Sequence, residues 1–244
     1  MWSVRHCENS FALLRELPDL GVDHVLTDPP YDEHCQDNQM SGTTLEKVEL
    51  PFDALSDRAF VKDLVRIARR WSLVFCTVED LGRFCDTVGG PRTQGGCWIR
   101  GGIWYKMNSM GQLSGDRPAA AYEGIAVMSS ASKLRWNGNG SYAIWKCNGT
   151  RGEKGRHKNQ KPLKLLLTLI AKFTDPDETI FDPFCGSGRV GEAAVLMGRR
   201  YIGLDNDPEW VQKAQERIKA VEHRYGELKD NFDMKSCSMK EDEG

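Results

Sequence analysis

Apolar positions along this chain alternate between two spacings, one every second residue and one every third or fourth. Alternation or short apolar runs predict strands at residues 22–27, 72–77, 98–105, 122–129, 179–181 and 201–204. Helical spacing predicts helices at 11–17, 59–71, 78–87, 162–173 and 190–197, the last closed by Gly198 as a C-cap. In the second of these, Phe60, Leu64, Ile67 and Ala68 share one face and Arg66, Arg69 and Arg70 lie outside it. In the fourth, Leu163, Leu166, Leu167 and Ile170 face a core. A final helix starts at Asp207-Pro208-Glu209, with Asp as N-cap and Pro in the first turn, and buries Trp210, Ala214, Ile218 and Val221. Strands alternating with helices predict the α/β class, a mostly parallel sheet with helices on both faces.

The polar stretch 32–56 reads as a mobile loop and 106–117 as a second irregular segment. Beyond Tyr225 the chain is charged and expected to fray. These limits give one domain over 1–225 and a disordered tail over 226–244, within 244 residues, a length that suits a single α/β domain. A formal charge of −2 excludes a globally basic coat for nucleic acid but leaves room for a local basic face. Eight cysteines without a Cys-x-x-Cys pair, and no Cys/His spacing of the zinc type, predict free thiols, a reducing compartment and no metal. Arg5, His6 and Glu8 break any apolar core of a signal peptide, and no apolar run approaches membrane-spanning length. A soluble cytoplasmic protein is therefore expected.

Two segments carry chemistry. Asp28-Pro29-Pro30-Tyr31 follows the apolar end of a predicted strand. Proline has no N–H and a fixed φ, so the turn is rigid and presents carbonyl acceptors. Asp28 adds a further acceptor and Tyr31 a flat face, a set suited to gripping a planar amino group. Far downstream, Phe181-Asp182-Pro183-Phe184-Cys185-Gly186-Ser187-Gly188 joins a strand to a helix, and Asp205 ends the next strand, seventeen residues after Gly188. Glycines at such a crossover let a ligand approach the backbone, and a carboxylate at the second strand end can accept ribose hydroxyls. A phosphate-binding loop would need Gly-Lys-Ser/Thr, which is absent. The frame Gly186-Ser187-Gly188-Arg189-Val190-Gly191 formally permits a dinucleotide. Asp182 ahead of the glycines favours S-adenosylmethionine, whose ammonium an acid can receive and whose pyrophosphate-bearing rival it would repel.

Between the motifs, Lys133, Arg135, Lys146, Arg151, Lys154, Arg156, Lys158, Lys161 and Lys164 face a single acid, Glu153, with Trp136, Tyr142 and Trp145 interleaved. A solvated loop has this composition, and so does a surface that tracks phosphates and stacks bases. The second reading fits the motifs better. His157 reads as an exposed residue of this stretch. Cys185 reads as a small packing residue, because cytosine C5 chemistry uses a Pro-Cys pair and none occurs.

These residues resemble the amino-group DNA methyltransferases, which methylate adenine N6 or cytosine N4. That family has a catalytic Asp/Asn/Ser-Pro-Pro-Tyr/Phe turn, here Asp28 to Tyr31, and a Phe-x-Gly-x-Gly turn for S-adenosylmethionine, here Phe184 to Gly188. The catalytic motif comes first, the order of the permuted β subgroup. His157-Lys158-Asn159-Gln160-Lys161-Pro162 is similar to that subgroup's His-Pro-Thr-Gln-Lys-Pro segment, from which Gln160 and Lys161 carry over. Gly115-Asp116-Arg117-Pro118 and Glu123 resemble segments of phage and prophage members. Asn9 stands where the family commonly has Asp, and Asp205 where Glu is commoner. The resemblance spans residues 5–222.

It implies a Rossmann-like methyltransferase fold with permuted motif order. Asp28, Pro29, Pro30 and Tyr31 would be catalytic. Asp28, Gln160, Lys161, Asp182, Phe184, Gly186, Ser187, Gly188, Asp205 and Asn206 would surround the cofactor. A target-recognition insert is expected near 106–156, with Lys133, Arg135, Lys146, Arg151, Lys154, Arg156 and Lys158 on double-stranded DNA. The implied reaction is methylation of adenine N6 by base flipping in a bacterial or phage-infected cell, in a restriction-modification or orphan setting, by an enzyme of a subgroup that often dimerises. Asp in the first motif position tilts toward adenine, where Ser would tilt toward cytosine N4. RNA or a protein glutamine amide is a more distant substrate, and a DNA-binding pseudoenzyme or a dehydrogenase more distant still.

Overall fold

The computed structural model describes residues 1–30, 59–111, 115–150 and 160–238. Among them run strands β1 (Trp2–His6), β2 (Val22–Thr27), β3 (Ala68–Cys76), β4 (Trp98–Tyr105), β5 (Tyr122–Met128), β6 (Ile144–Lys146), β7 (Thr179–Asp182) and β8 (Arg200–Asp205). Helices α1 (Ser10–Glu16), α2 (Phe60–Ile67), α3 (Asp80–Thr87), α4 (Leu163–Phe173), α5 (Arg189–Leu196) and α6 (Pro208–Ser238) connect or follow them. The strands form one sheet in the order β1-β8-β7-β2-β3-β5-β4-β6. Only β5 runs against its neighbours; the other described pairings are parallel.

Both faces of the sheet are covered, which is why its central strands read as apolar runs rather than as strict alternation. In β3, Leu73 and Phe75 join a core that includes Leu165, Leu166, Leu169 and Ile170 of α4 and Ala193, Ala214 and Ile218 of α5 and α6. Their neighbours Val74 and Cys76 point the other way, into a core with Leu14 of α1, Leu64 and Val65 of α2 and Phe84 of α3. At about 1.5–3 kcal/mol for each large apolar side chain fully buried, these two layers supply the main driving force for folding.

The expected strands and helices are present, with one displaced boundary, two added strands and a final helix that runs on into the stretch expected to fray. Periodicity predicted helix through residue 71, yet α2 ends at Ile67 and Ala68 already belongs to β3. Residues 68–71 extend because pairing with β2 aligns Val22 with Ala68 and His24 with Trp71. Arg70 then reaches Glu178 at 2.6 Å and Asp175 at 3.1 Å, and the Arg69 Nε–H donates to the Leu20 carbonyl at 2.7 Å. Arg66, placed outside by the pattern, donates to the carbonyls of Leu14 and Leu17 and so ties down the end of α1. Strands β1 and β6 were not foreseen; both are short and lie at the two edges of the sheet. Helix α6 is capped as expected, Asp207 accepting from the Glu209 N–H at 2.8 Å, and its backbone continues past Tyr225 to Ser238. The predicted mobile loop at 32–56 lies outside the described residues. No helix among the described residues is long and apolar enough to cross a membrane.

Candidate active site

Strands β2 and β7 are parallel neighbours, so the segments that follow them emerge at the same edge of the sheet. There the Thr27 hydroxyl donates to Asp182 Oδ1 at 2.6 Å, tying the strand before Asp28 to the strand before the glycine-rich turn. Pro29 is buried, Pro30 exposed and Asp28 half-buried. Tyr31 lies outside the described residues. Helix α2, the next described element after β2, packs in one core and α5, which follows β7, in the other, the arrangement that opens a crevice at strand ends in α/β proteins.

The glycines of the turn have separate reasons. Gly188 has φ +74°, and a Cβ there would stand 2.7 Å from the Cβ of Ala214, so α5 and α6 can meet only across a glycine. Gly191 likewise admits Ile218 and Tyr201, which a Cβ would approach within 2.4 and 2.5 Å. Thus the third glycine of the apparent dinucleotide fingerprint serves packing. Gly186 differs: its φ is +47° and a Cβ would meet nothing within 4 Å. Its backbone therefore borders open space, as a surface approached by a ligand requires.

Asp205, at the end of β8, accepts from the Gly186 N–H at 2.7 Å and the Asp207 N–H at 3.0 Å. Burial raises its pKa, and these two backbone donors only partly oppose that. Each carboxylate oxygen keeps a further acceptor direction. Gln160 and Ser187 meet at 2.7 Å, and Arg217 of α6 donates to the same hydroxyl at 3.2 Å. With the guanidinium and hydroxyl both donating, the Gln160 amide oxygen faces them. Phe184 packs its ring 5.0 Å from Phe11 and 6.2 Å from Phe60, so it anchors the turn to α1 and α2.

Asp182 is 1% exposed. Burial pushes its pKa up to about 7, against the hydrogen bonds from Thr27 and the Phe184 N–H that favour the charged form, and with Asp28 and Asp205 raising it further. The Tyr201 hydroxyl also donates to it, at 3.3 Å. Asp182 is therefore buried at the base of the turn, its oxygens accepting from Thr27, the Phe184 N–H and Tyr201. The buried Cys185 thiol is driven upward by burial and by Asp182, which leaves it a packing residue, as expected. Among the described residues no group of His, Cys, Asp or Glu side chains is arranged to hold a metal ion.

Three charged residues distant in sequence meet beside Asp28. The Lys161 ammonium lies 2.7 Å from Asp28 Oδ2 and 3.1 Å from Glu123 Oε2, the second contact ionic rather than aligned as a hydrogen bond. Lys106 holds the other oxygen of Glu123 at 2.6 Å. Burial alone would depress Lys161, but Asp28 and Glu123 outweigh it and raise its pKa. Burial likewise pushes Glu123 up, and Lys161 with Lys106 reverse the sign, holding it below the ordinary value. Lys161 was foreseen near the cofactor; its described partners are instead the two carboxylates. Lys106 and Thr27 were not foreseen: Lys106 follows a strand with no motif around it, and Thr27 ends the strand just before the Asp28 motif without belonging to it.

Strand direction divides the basic stretch. Residues 129–142 lie at the opposite edge of the sheet, where Arg135 pairs with Asp175 at 3.1 Å, so Arg135 and Lys133 stand away from Asp28. Lys146 ends β6 beside Tyr105, at the same edge as Asp28. Trp136 and Trp145 pack on Phe173 of α4, at 4.6 and 6.3 Å, Trp145 within the core and Trp136 half-buried against it; Tyr142 is exposed. Arg151, Lys154, Arg156 and Lys158 lie outside the described residues. Asn206 is exposed beside Asp205. Asn9 caps α1, accepting from the Ala12 N–H at 3.0 Å.

The chain is 24% identical over 240 residues to the type II methyltransferase M.HinfI of Haemophilus influenzae, covering 85% of this chain and 66% of that protein. It is 27% identical over 237 residues to the type II methyltransferase M2.LlaDCHI of Lactococcus lactis subsp. cremoris, covering 86% and 87%. Its fold is similar to a crystal structure of an M1.HpyAVI-SAM complex, with TM-score 0.66, 22% identity and coverage of 89% of this chain and 99% of that one. It is also similar to the cytosine-N4-specific PvuII DNA methyltransferase, with TM-score 0.65, 16% identity and coverage of 91% and 92%. The family model described as DNA methylase, of N6 and N4 specificity, matches residues 22–216. With the match spanning both motifs and most of the sheet between them, the chain belongs to the DNA methylase family.

Proposed function

We propose that this protein transfers a methyl group from S-adenosylmethionine to adenine N6 in double-stranded DNA. The observation that carries the reading is the junction of β2 with β7, which brings the Asp28 turn and the glycine-rich turn to one crevice. The residues present fit the cofactor: Gly186 borders open space, Asp205 offers acceptor oxygens, and Gln160 and Ser187 flank the turn. When bound there, S-adenosylmethionine supplies an electrophilic methyl on a cationic sulfur. An exocyclic amine is a poor nucleophile because its lone pair is shared with the ring. Asp28 and the Pro29 carbonyl accept its hydrogens and so free that lone pair for attack. Positioning and electrostatics supply the catalysis, with no covalent intermediate on the enzyme. Base flipping exposes the amine, and Tyr31 stacks on the extruded base. Lys146, with Arg151, Lys154, Arg156 and Lys158, tracks the phosphates.

Digesting treated DNA to nucleosides and weighing the products tests the reading. N6-methyldeoxyadenosine is expected; N4-methyldeoxycytidine would move the specificity to the alternative amine, and no methylated nucleoside would overturn the activity. Asp28→Ala is expected to abolish transfer while cofactor affinity stays within about an order of magnitude. Wild-type turnover by that variant would remove Asp28 from the mechanism.

A further inference from the structure

Lys161 sits directly before α4, its carbonyl neighbour Gln160 accepting from the Thr150 hydroxyl at 2.6 Å, and its side chain is 5% exposed. An ammonium so far from water is costly unless paired. Its nitrogen stands 5.0 Å from the centre of the Phe75 ring and between two carboxylates, one just after β2 and one in β5. One of them, Asp28, is the acceptor to which the methyl-transfer reading assigns the target amine. The other, Glu123 at the start of β5, belongs to neither motif and is itself gripped by Lys106.

We propose that Lys161 is a positioning residue of the methyl-transfer site, held from behind by Glu123, and that it fixes the Asp28 carboxylate in the orientation that receives the amine. The inference rests on the reading given above. A lysine paired with Asp28 alone would follow that carboxylate whenever it turned toward a substrate. Two anchors prevent this, because Glu123 keeps the ammonium in place while Asp28 shares its charge with the amine. Glu123 and Lys106 thereby act on the reaction without touching a reactant. Among the described residues, the groups facing Lys161 include Asp28, Glu123 with Lys106 behind it, and the Phe75 ring; the Cys76 thiol is close enough to feel both carboxylates.

The test is Glu123→Gln, which preserves shape, removes one charge and leaves an acceptor oxygen for only one of the two lysines. Methyl incorporation from tritiated S-adenosylmethionine into DNA of a methylation-deficient host should show kcat reduced about tenfold or more, with KM and calorimetric Kd for the cofactor within about threefold. Because Lys161 loses one of the two carboxylates that raise it, the alkaline limb of kcat should move to lower pH. Glu123→Asp should recover part of both effects. Lys161→Arg keeps the charge and alters the reach, and should lower kcat without changing Kd even if Glu123→Gln folds poorly. Wild-type kcat and pH profile in Glu123→Gln and Lys161→Arg would overturn the inference while leaving the methyl-transfer reading intact. Loss confined to Kd would overturn it in favour of a cofactor contact. Absence of incorporation by the unaltered protein would overturn the reading itself, and this inference with it.

Discussion

Asp182 should make the stability of this protein fall as pH rises through a range where most proteins are steady. Its carboxyl titrates near 7 in the fold, chiefly because burial penalises the charge, against roughly 3.9 in an unfolded chain. Between those values the folded state holds a proton that the unfolded state has released. Stability must then decrease with rising pH, by about 1.4 kcal/mol per unit for one proton, and level off above the folded value. Over about three units the upper bound is roughly 4 kcal/mol, and relaxation or water entry would reduce it. Asp182→Asn isolates this effect. The Asn oxygen can still accept from Thr27 and the Phe184 N–H, and its amide can donate to the Tyr201 oxygen. Urea unfolding followed by tryptophan fluorescence should show wild type and variant near parity at about pH 3.5. The variant should become more stable by roughly 2–4 kcal/mol at about pH 8. Glu123, lowered, is common to both proteins and cancels in the difference, whereas Asp205 is relieved of a repulsive neighbour in the variant, which adds to the difference in the same direction. Parallel curves, or a variant less stable at high pH, would refute the argument that burial governs Asp182.

Two substitutions separate folding from binding in the turn. Gly188→Ala combines a left-handed φ of +74° with a Cβ 2.7 Å from Ala214, so a loss of roughly 2–4 kcal/mol is expected, read as a lower melting temperature. A variant within about 0.5 kcal/mol of wild type would show that α5 and α6 can separate freely. Gly186→Leu faces open space, so its folding cost should be only about 1–2 kcal/mol for the backbone, while calorimetry should show cofactor affinity reduced at least about tenfold. Undiminished affinity would place the ligand elsewhere.

Elements with strong local signals were legible from sequence. The strand at 22–27 and the strand at 98–105 have the expected bounds, because apolar runs end at Pro or at charged turns. The helix predicted to reach residue 71 lost its last residues to strand pairing, a tertiary effect that helical periodicity of Ile67, Ala68 and Trp71 cannot reveal. Strand β1 has a two-residue alternation of Trp2 and Val4 but is too short to stand out, and β6 exists only through its pairing with β4. The two motifs were readable because their prolines and glycines specify backbone shape locally. The ion chain through Lys106, Glu123 and Lys161 was not, because its members come from three separate segments that only the sheet brings together. The aromatics of the basic stretch misled for the opposite reason: composition records Trp136 and Trp145 but not that α4 covers them.

The site's charge bears on which ligand the glycine-rich turn suits. Asp28, Asp182 and Asp205 stand near enough to one another for Asp182 to be raised by both of the others. Among the described cations, Lys161 is held by Asp28 and Glu123, and Arg217 points to Ser187 with Glu192 beside it at 3.8 Å. A pyrophosphate laid across Gly186 would bring its charge toward these carboxylates, as Asp205 itself occupies the Gly186 N–H that a phosphate oxygen would need. A cationic ligand meets the reverse situation, since it stabilises the ionised form of acids that burial has made reluctant to ionise. The frame of glycines is compatible with either ligand, and two of its three members are required by packing alone. On the proposed reading, discrimination lies in the acids beneath and beside the turn, whose charge favours a positively charged methyl donor over a dinucleotide.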